Sequence, residues 1–156
     1  MIETECPLFV THDGFIVEQV AAIKMPLVDK FYQSQGYKIK CGRHERVFSL
    51  THPSYGIVGA ARLVPQADDY WLRNMLIASE LRHHGLGTLF IKKILSELQP
   101  GNCYCFSTTH AEAFYTKLKF QHLTPEECNT LVAARYEQYR SRGRDWILMG
   151  FLWSKS

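Results

Sequence analysis

With 156 residues, 46% hydrophobic and 21% charged side chains, and a formal charge of +3, the chain reads as one ordinary globular domain. It is long enough to bury a core without metal or disulfide staples. Its charges are spread along the sequence, so no basic tract calls for nucleic acid, and no apolar run reaches the ~18 residues of a membrane span. Five cysteines are an odd number without a C-x-x-C pattern, which suits reduced thiols packed as small apolar groups in a cytoplasmic protein. Cys103 and Cys105 alone have a metal-like spacing, but no histidine cluster stands beside them, and no metal is expected.

The opening "MIETECPLFVTHDG" is acidic and lacks the basic-then-apolar layout of a signal peptide. "VEQVAAIKMPLVDKFYQSQG" reads as helical, with Val17, Val20, Ala21, Leu27, Val28 and Phe31 near 3.6 spacing. Pro26 should kink it or start a second short helix, and Gly36 suits the stop. "ERVFSLTH", "YGIVGAARLVP" and "YWLRNMLIA" follow as three strand candidates separated by turn residues.

A helix is expected from about Gly87 to Leu98, halted by Pro100 and Gly101, and then a strand at "CYCFST". Thr109 and Glu112 spell a capping box for a helix over "AEAFYTKLK". Thr124, Pro125 and Glu127 offer a cap, a first-turn proline and a box acid for another helix to about Arg142, closed by Gly143. "DWILMGFLW" is an apolar final strand, which could pair within the sheet or across a homodimer. Helices and strands interleave around one mixed sheet, an α/β or α+β layout.

The junction from Leu76 to Leu89 is the most informative stretch. A strand ends, a loop turns, and a helix begins behind Arg82-His83-His84-Gly85-Leu86-Gly87. The first turn of a helix leaves N–H groups unpaired at a positive dipole end, and glycines let another group approach them. Together with Arg82, His83 and His84 these features suit an anion such as phosphate. On this stretch alone the glycines serve equally well to shape a tight turn, and the usual nucleotide fingerprints do not fit.

Arg82 to Gly87 matches R-x-x-G-x-G, which resembles the pyrophosphate motif of the GNAT superfamily of N-acetyltransferases. "LRNMLIASELR" resembles that family's central strand leading into the cofactor loop, and "AFYTKLKF" (Ala113 to Phe120) resembles its second motif. Either motif alone is weak; both in order, each in its structural context, are more specific. The sequence departs from the pattern with Lys119 where the family usually has glycine and Ser79 where it often has proline.

The resemblance implies a single GNAT-like domain over residues 1–156: a central mixed, largely antiparallel sheet flanked by helices in an acyl-CoA N-acyltransferase fold. It implies acetyl-CoA, or another acyl-CoA, as donor. Backbone amides from Arg82 through His83, His84, Gly85, Leu86 and Gly87 to Thr88 would hold the pyrophosphate. The backbone at Met75, Leu76 and Ile77 would pair with the pantetheine arm. Tyr115 would be the acid that protonates departing CoA thiolate, a task suited to a phenol that is neutral at pH 7. Its apolar stripe with Ala111, Phe114 and Leu118 equally suits core packing.

An attacking amine must lose a proton. Many family members place a Glu on the central strand, yet "YWLRNMLIA" holds no carboxylate. His110, at the mouth of the Tyr115 helix, is the first substitute. Glu80 and the Asp68-Asp69 pair follow, and a water chain serves as well as any single residue. Arg43, Arg46, Arg62 and Arg73 lie in or beside predicted strands. An arginine there either recognises an acceptor carboxylate or makes internal ion pairs.

The expected activity is acetyl transfer to a primary amine by direct attack in a ternary complex. A thiol nucleophile at Cys103 or Cys105 is the more elaborate route. The amine belongs to a small molecule, an amino-acid derivative or a protein; transfer to aminoacyl-tRNA fits less well with the absent basic tract. A non-catalytic acyl-CoA-binding regulator of a partner protein is the alternative, favoured by the missing carboxylate and opposed by Tyr115.

Overall fold

The computed structural model describes residues 12–153. The acidic start over 1–11, with Cys6, lies outside the described residues, as do the last three positions. Among the described residues, seven strands form a mixed sheet in the order β1-β2-β3-β4-β5-β7-β6. They are β1 (Ile16–Gln19), β2 (Arg46–His52), β3 (Gly56–Gln66), β4 (Asp69–Ile77), β5 (Cys103–Ser107), β6 (Gln121–His122) and β7 (Ile147–Phe151). The helices are α1 (Met25–Ser34), α2 (Leu86–Leu98), α3 (Glu112–Lys117) and α4 (Thr130–Ser141). β4 and β5 are parallel, while β1–β2, β5–β7 and β6–β7 are antiparallel. Among the described residues, no helix is long and apolar enough to cross a membrane.

The described residues fall into two compact units, one running through Arg62 and resuming over Asn74–Ile94, the other Leu63–Arg73 with Leu95 onward. The first holds β1, α1, β2 and the strand-loop-helix that ends β4 and begins α2. Its core includes Val28, Tyr32, Val47, Leu50, Leu86 and Phe90, each at most 1% exposed. Burial on that scale stabilises by about 1.5–3 kcal/mol per large apolar side chain. The second unit builds on β5 and β7, with Tyr104, Val132 and Leu148 packed together under α4.

The segment from Val17 was expected to be helical and is not: Ile16 to Gln19 pair with Thr51 to Phe48. Only Val17 of β1 is even partly buried. So the strand shows no period-two pattern, and pairing with β2 overrides a spacing that also fits a helix. Pro26 then opens α1 in its first turn instead of kinking a longer helix. Gly36, at φ +93°, ends it.

Two caps also differ from expectation. α3 starts at Glu112 behind Ala111, without a side-chain cap, because Thr108, not Thr109, accepts from the Ala111 N–H (3.3 Å). Glu112 instead pairs with His122 at 2.5 Å. The Thr124 N–H does donate to Glu127 at 2.8 Å, but that box closes only the 3-10 turn Pro125–Glu127. α4 has its own cap, Asn129, which accepts from the Val132 N–H.

Lys119 follows α3 in left-handed backbone, φ +75°, and is exposed. The turn is therefore wound as a glycine would wind it, with a side chain that strains it by about 1 kcal/mol. Lys119→Gly should raise stability by roughly 0.5–1 kcal/mol after the entropy of the unfolded glycine is counted. Thermal unfolding should show a gain of about 1–4 °C.

Candidate functional site

In the first unit, β4 carries Met75, Leu76 and Ile77 at its end, and residues 78–85 turn the chain into α2. Asn74 stands in the strand at φ +53°. A left-handed residue inside a strand is the backbone conformation that bulges use. The loop turns sharply because His83 (φ +69°) and Gly85 (φ +80°) are both left-handed.

Arg82 folds back to donate its Nε–H to the Ile77 carbonyl at 2.9 Å, so the loop is tied to the strand that feeds it. Helical bonding starts at Leu89 N–H to Gly85 carbonyl, 3.2 Å. Amides of the first helical turn therefore begin the helix without intrahelical acceptors. Arg82, His83 and Gly85 are exposed. A side chain at Gly85 would be strained and would meet the His12 ring at 3.2 Å. The His12 Nε2 also lies 2.9 Å from the His84 carbonyl.

Asn74 rests on a polar cluster that sequence reasoning missed. Fully buried Tyr32 donates its hydroxyl to the Asn74 carbonyl at 2.7 Å. Arg62 donates to Asn74 Oδ1 at 2.7 Å and grips Glu45 with two bonds, 2.8 and 2.6 Å. The Glu45 hydrogen bond raises the Arg62 guanidinium further, keeping it charged. A carboxylate held in both arms of an arginine is spoken for as an acceptor, so Glu45 makes a poor base. Asn in place of a β-branched residue was the one sequence sign of this conformation, since asparagine tolerates this backbone. Tyr32→Phe should cost about 1 kcal/mol in urea unfolding by stripping the Asn74 carbonyl of its donor.

In the second unit, Tyr115 lies in α3, its ring edge-on to Phe114 and Phe120, both 5.1 Å away between centroids. Burial pushes its phenol well above the ordinary 10, and the thiols of Cys105 and Cys103 add to the shift. It is a firmly neutral proton donor. His110 is exposed in the turn before α3. Cys103 and Cys105 are buried, and desolvation pushes both thiols up, which works against a thiolate nucleophile.

The remaining candidates separate by partner. Asp69 holds the Asn102 N–H (3.0 Å) and Asn129 (2.8 Å), a structural task. Asp68 is exposed, and Glu80 accepts from Ser79 at 3.1 Å. Arg43 is exposed. Arg46 donates to Gln19 at 3.1 Å. Arg73 lies over the Trp71 ring, 4.5 Å from its centroid.

A strand-glycine loop-helix of this kind defines an acyl-CoA-type acetyltransferase fold, and the comparisons agree. A family model described as the acetyltransferase (GNAT) domain matches residues 43–122, just over half of the 156 residues. The chain belongs to the GNAT acetyltransferase family. No match to a curated protein sequence is found.

Among solved structures, N-acetylglutamate synthase from Neisseria gonorrhoeae, complexed with coenzyme A and N-acetyl-glutamate, is similar with a TM-score of 0.67 at 16% identity. The match covers 90% of this chain and 35% of that one, so this chain spans about a third of that protein. The ribosomal-protein-S18-alanine N-acetyltransferase from Escherichia coli gives 0.65 at 16% identity, covering 91% and 96%. A Mycobacterium tuberculosis protein solved with CoA gives 0.63 at 16%, covering 89% and 99%. At these identities the likeness establishes the fold: a mixed seven-stranded sheet flanked by helices, shared with proteins that bind CoA.

Proposed function

We propose that the protein is an acetyl-CoA-dependent N-acetyltransferase, its 156 residues acting as one domain. The observation that carries the reading is the glycine loop at the head of α2: left-handed at Gly85, exposed, and tied by Arg82 to the end of β4. A diphosphate needs N–H donors at a positive helix end with room to approach them, and the left-handed, exposed Gly85 at the start of the helical bonding supports that reading. The amides from Arg82 to Thr88 would take the pyrophosphate, and the backbone of Met75 to Ile77 the pantetheine arm.

The transfer is direct. The acceptor amine attacks the thioester carbonyl carbon, the C–S bond breaks, and the electron pair leaves on sulfur. Tyr115 donates a hydrogen bond to that thiolate. The amine's proton passes to water, and exposed His110 is the side chain proposed to relay it.

The first test is thermal unfolding with acetyl-CoA against ATP. Ligand at 100 times its dissociation constant adds about 2.7 kcal/mol, a rise of roughly 5–10 °C here. A rise with acetyl-CoA well beyond that with ATP is expected. No shift at millimolar acetyl-CoA would overturn the reading.

A further inference from the structure

The donor site proposed above draws on one further residue, and the inference rests on that reading. We infer that His12 is a positioning residue of the acetyl-CoA site: its imidazole holds the peptide between His84 and Gly85 and so fixes where the Gly85 N–H points.

The His12 Nε2 lies 2.9 Å from the His84 carbonyl oxygen. A carbonyl only accepts, so this nitrogen carries a proton and donates, in the neutral ring and the imidazolium alike. A trans peptide is planar, and its C=O and N–H point to opposite sides. Drawing the His84 carbonyl toward His12 therefore turns the Gly85 N–H away from it. The ring itself lies on the carbonyl side, where a side chain at Gly85 would meet His12 Nε2 at 3.2 Å. His12 thus sets the direction of the N–H without covering it.

Nothing in Gly85 alone fixes this peptide plane. Glycine takes positive and negative φ about equally, so the peptide before it turns at little cost unless something holds it. Gly85 is exposed and left-handed at φ +80°. Its own carbonyl is held by the Leu89 N–H at 3.2 Å, and Arg82 ties the start of the loop to the Ile77 carbonyl at 2.9 Å. His12 secures the peptide between these two anchors.

The contact spans 72 positions, and a built turn delivers residue 12 to it. The Phe15 N–H donates to the His12 carbonyl at 3.4 Å, just ahead of β1, whose Ile16 pairs with Thr51. Gly14 is left-handed at φ +82° and packs so closely on His52 that a Cβ there would lie 2.8 Å from the ring. His52 in turn accepts the Ser54 N–H at 3.0 Å. Its ring lies 4.7 Å from Phe15 and 4.6 Å from Tyr55 between centroids. The β2–β3 turn therefore anchors the segment from which His12 reaches the loop. His12 itself is exposed, so burial of its ring is not what this turn achieves.

The test needs no acceptor. Acetyl-CoA binding by calorimetry, and the Gly85 N–H resonance of the ligand-free full-length protein, are measured in three variants. His12→Phe keeps a ring without a donor, His12→Ala removes both, and His12→Gln returns an N–H donor without a ring. All three should melt close to wild type, as exposed substitutions do. His12→Phe and His12→Ala should weaken acetyl-CoA binding about three- to tenfold, the range of one net hydrogen bond, and should broaden or split the Gly85 resonance. His12→Gln should recover most of the affinity and a single resonance. A ring that merely packs would give the reverse order, with Phe tolerated and Gln not. That reverse order, tighter acetyl-CoA binding in His12→Ala, or an unchanged Gly85 resonance in His12→Phe would overturn the proposal. If the Gly85 resonance responds as expected but the wild type binds no acetyl-CoA, the transferase reading falls and the hold on the peptide stands.

Discussion

Replacing Gly87 with glutamate is expected to leave the protein folded and to remove acetyl-CoA binding. Gly87 is the second residue of α2, where glycine weakens a helix by about 1 kcal/mol relative to good helix formers. A glutamate in the first turn also complements the positive dipole end. The apo variant should therefore melt at or above the wild-type temperature. The same carboxylate fills the place proposed for the pyrophosphate and repels it. Affinity should fall more than 100-fold, or by more than about 2.7 kcal/mol. Fold and function move in opposite directions, so a melting curve taken with and without acetyl-CoA separates them. A folded Gly87→Glu protein that still gains the wild-type shift would rule out the glycine mouth as a phosphate cradle.

How far such a site can be read from sequence depends on how local its causes are. The head of α2 was legible because glycines, a basic triplet and an apolar helix lie within a dozen residues, and Pro100 and Gly101 mark the end. The final strands and Gly143 were legible for the same reason. β1 was not: its apolar spacing fits a helix and shows no strand alternation, and only pairing with residues 48–51, some thirty positions on, makes it a strand. The left-handed turn at Lys119 is a local helix end, closed by the Phe120 N–H on the Tyr115 carbonyl at 3.0 Å, but a lysine does not mark such a turn as a glycine would. Glu45 reaches Asn74 only through Arg62, and Arg135 reaches Trp71 only through the docking of α4. Both are long-range facts. The sequence showed that the stretch YWLRNMLIA lacks a carboxylate; it did not show that Asn74 is braced by a tyrosine from α1.

Tyr115→Phe should reduce kcat by about 100-fold while the acetyl-CoA shift stays within a degree or two of wild type. The ring is held by edge contacts to Phe114 and Phe120, which phenylalanine keeps, so the loss belongs to the hydroxyl. Positioned proton donors contribute about 10²–10⁴-fold, and the phenol's raised pKa argues for the lower end. An alkyl thiol ionises near pH ~8.5, so complete transfer of a proton from so weak an acid to a thiolate runs uphill. In the proposed role Tyr115 would therefore stabilise the departing sulfur chiefly by donating a hydrogen bond, with solvent completing the protonation.

The pH profile follows in sign. A phenol raised above 10 remains protonated through the range where the amine acceptor loses its own proton. The rate should therefore rise with pH toward the amine pKa, without a falling limb from Tyr115 before about pH 10. An alkaline limb with a midpoint near pH 9 that vanishes in Tyr115→Phe would contradict the buried, neutral donor. An unchanged kcat in that variant would remove Tyr115 from the chemistry and leave it as packing for α3.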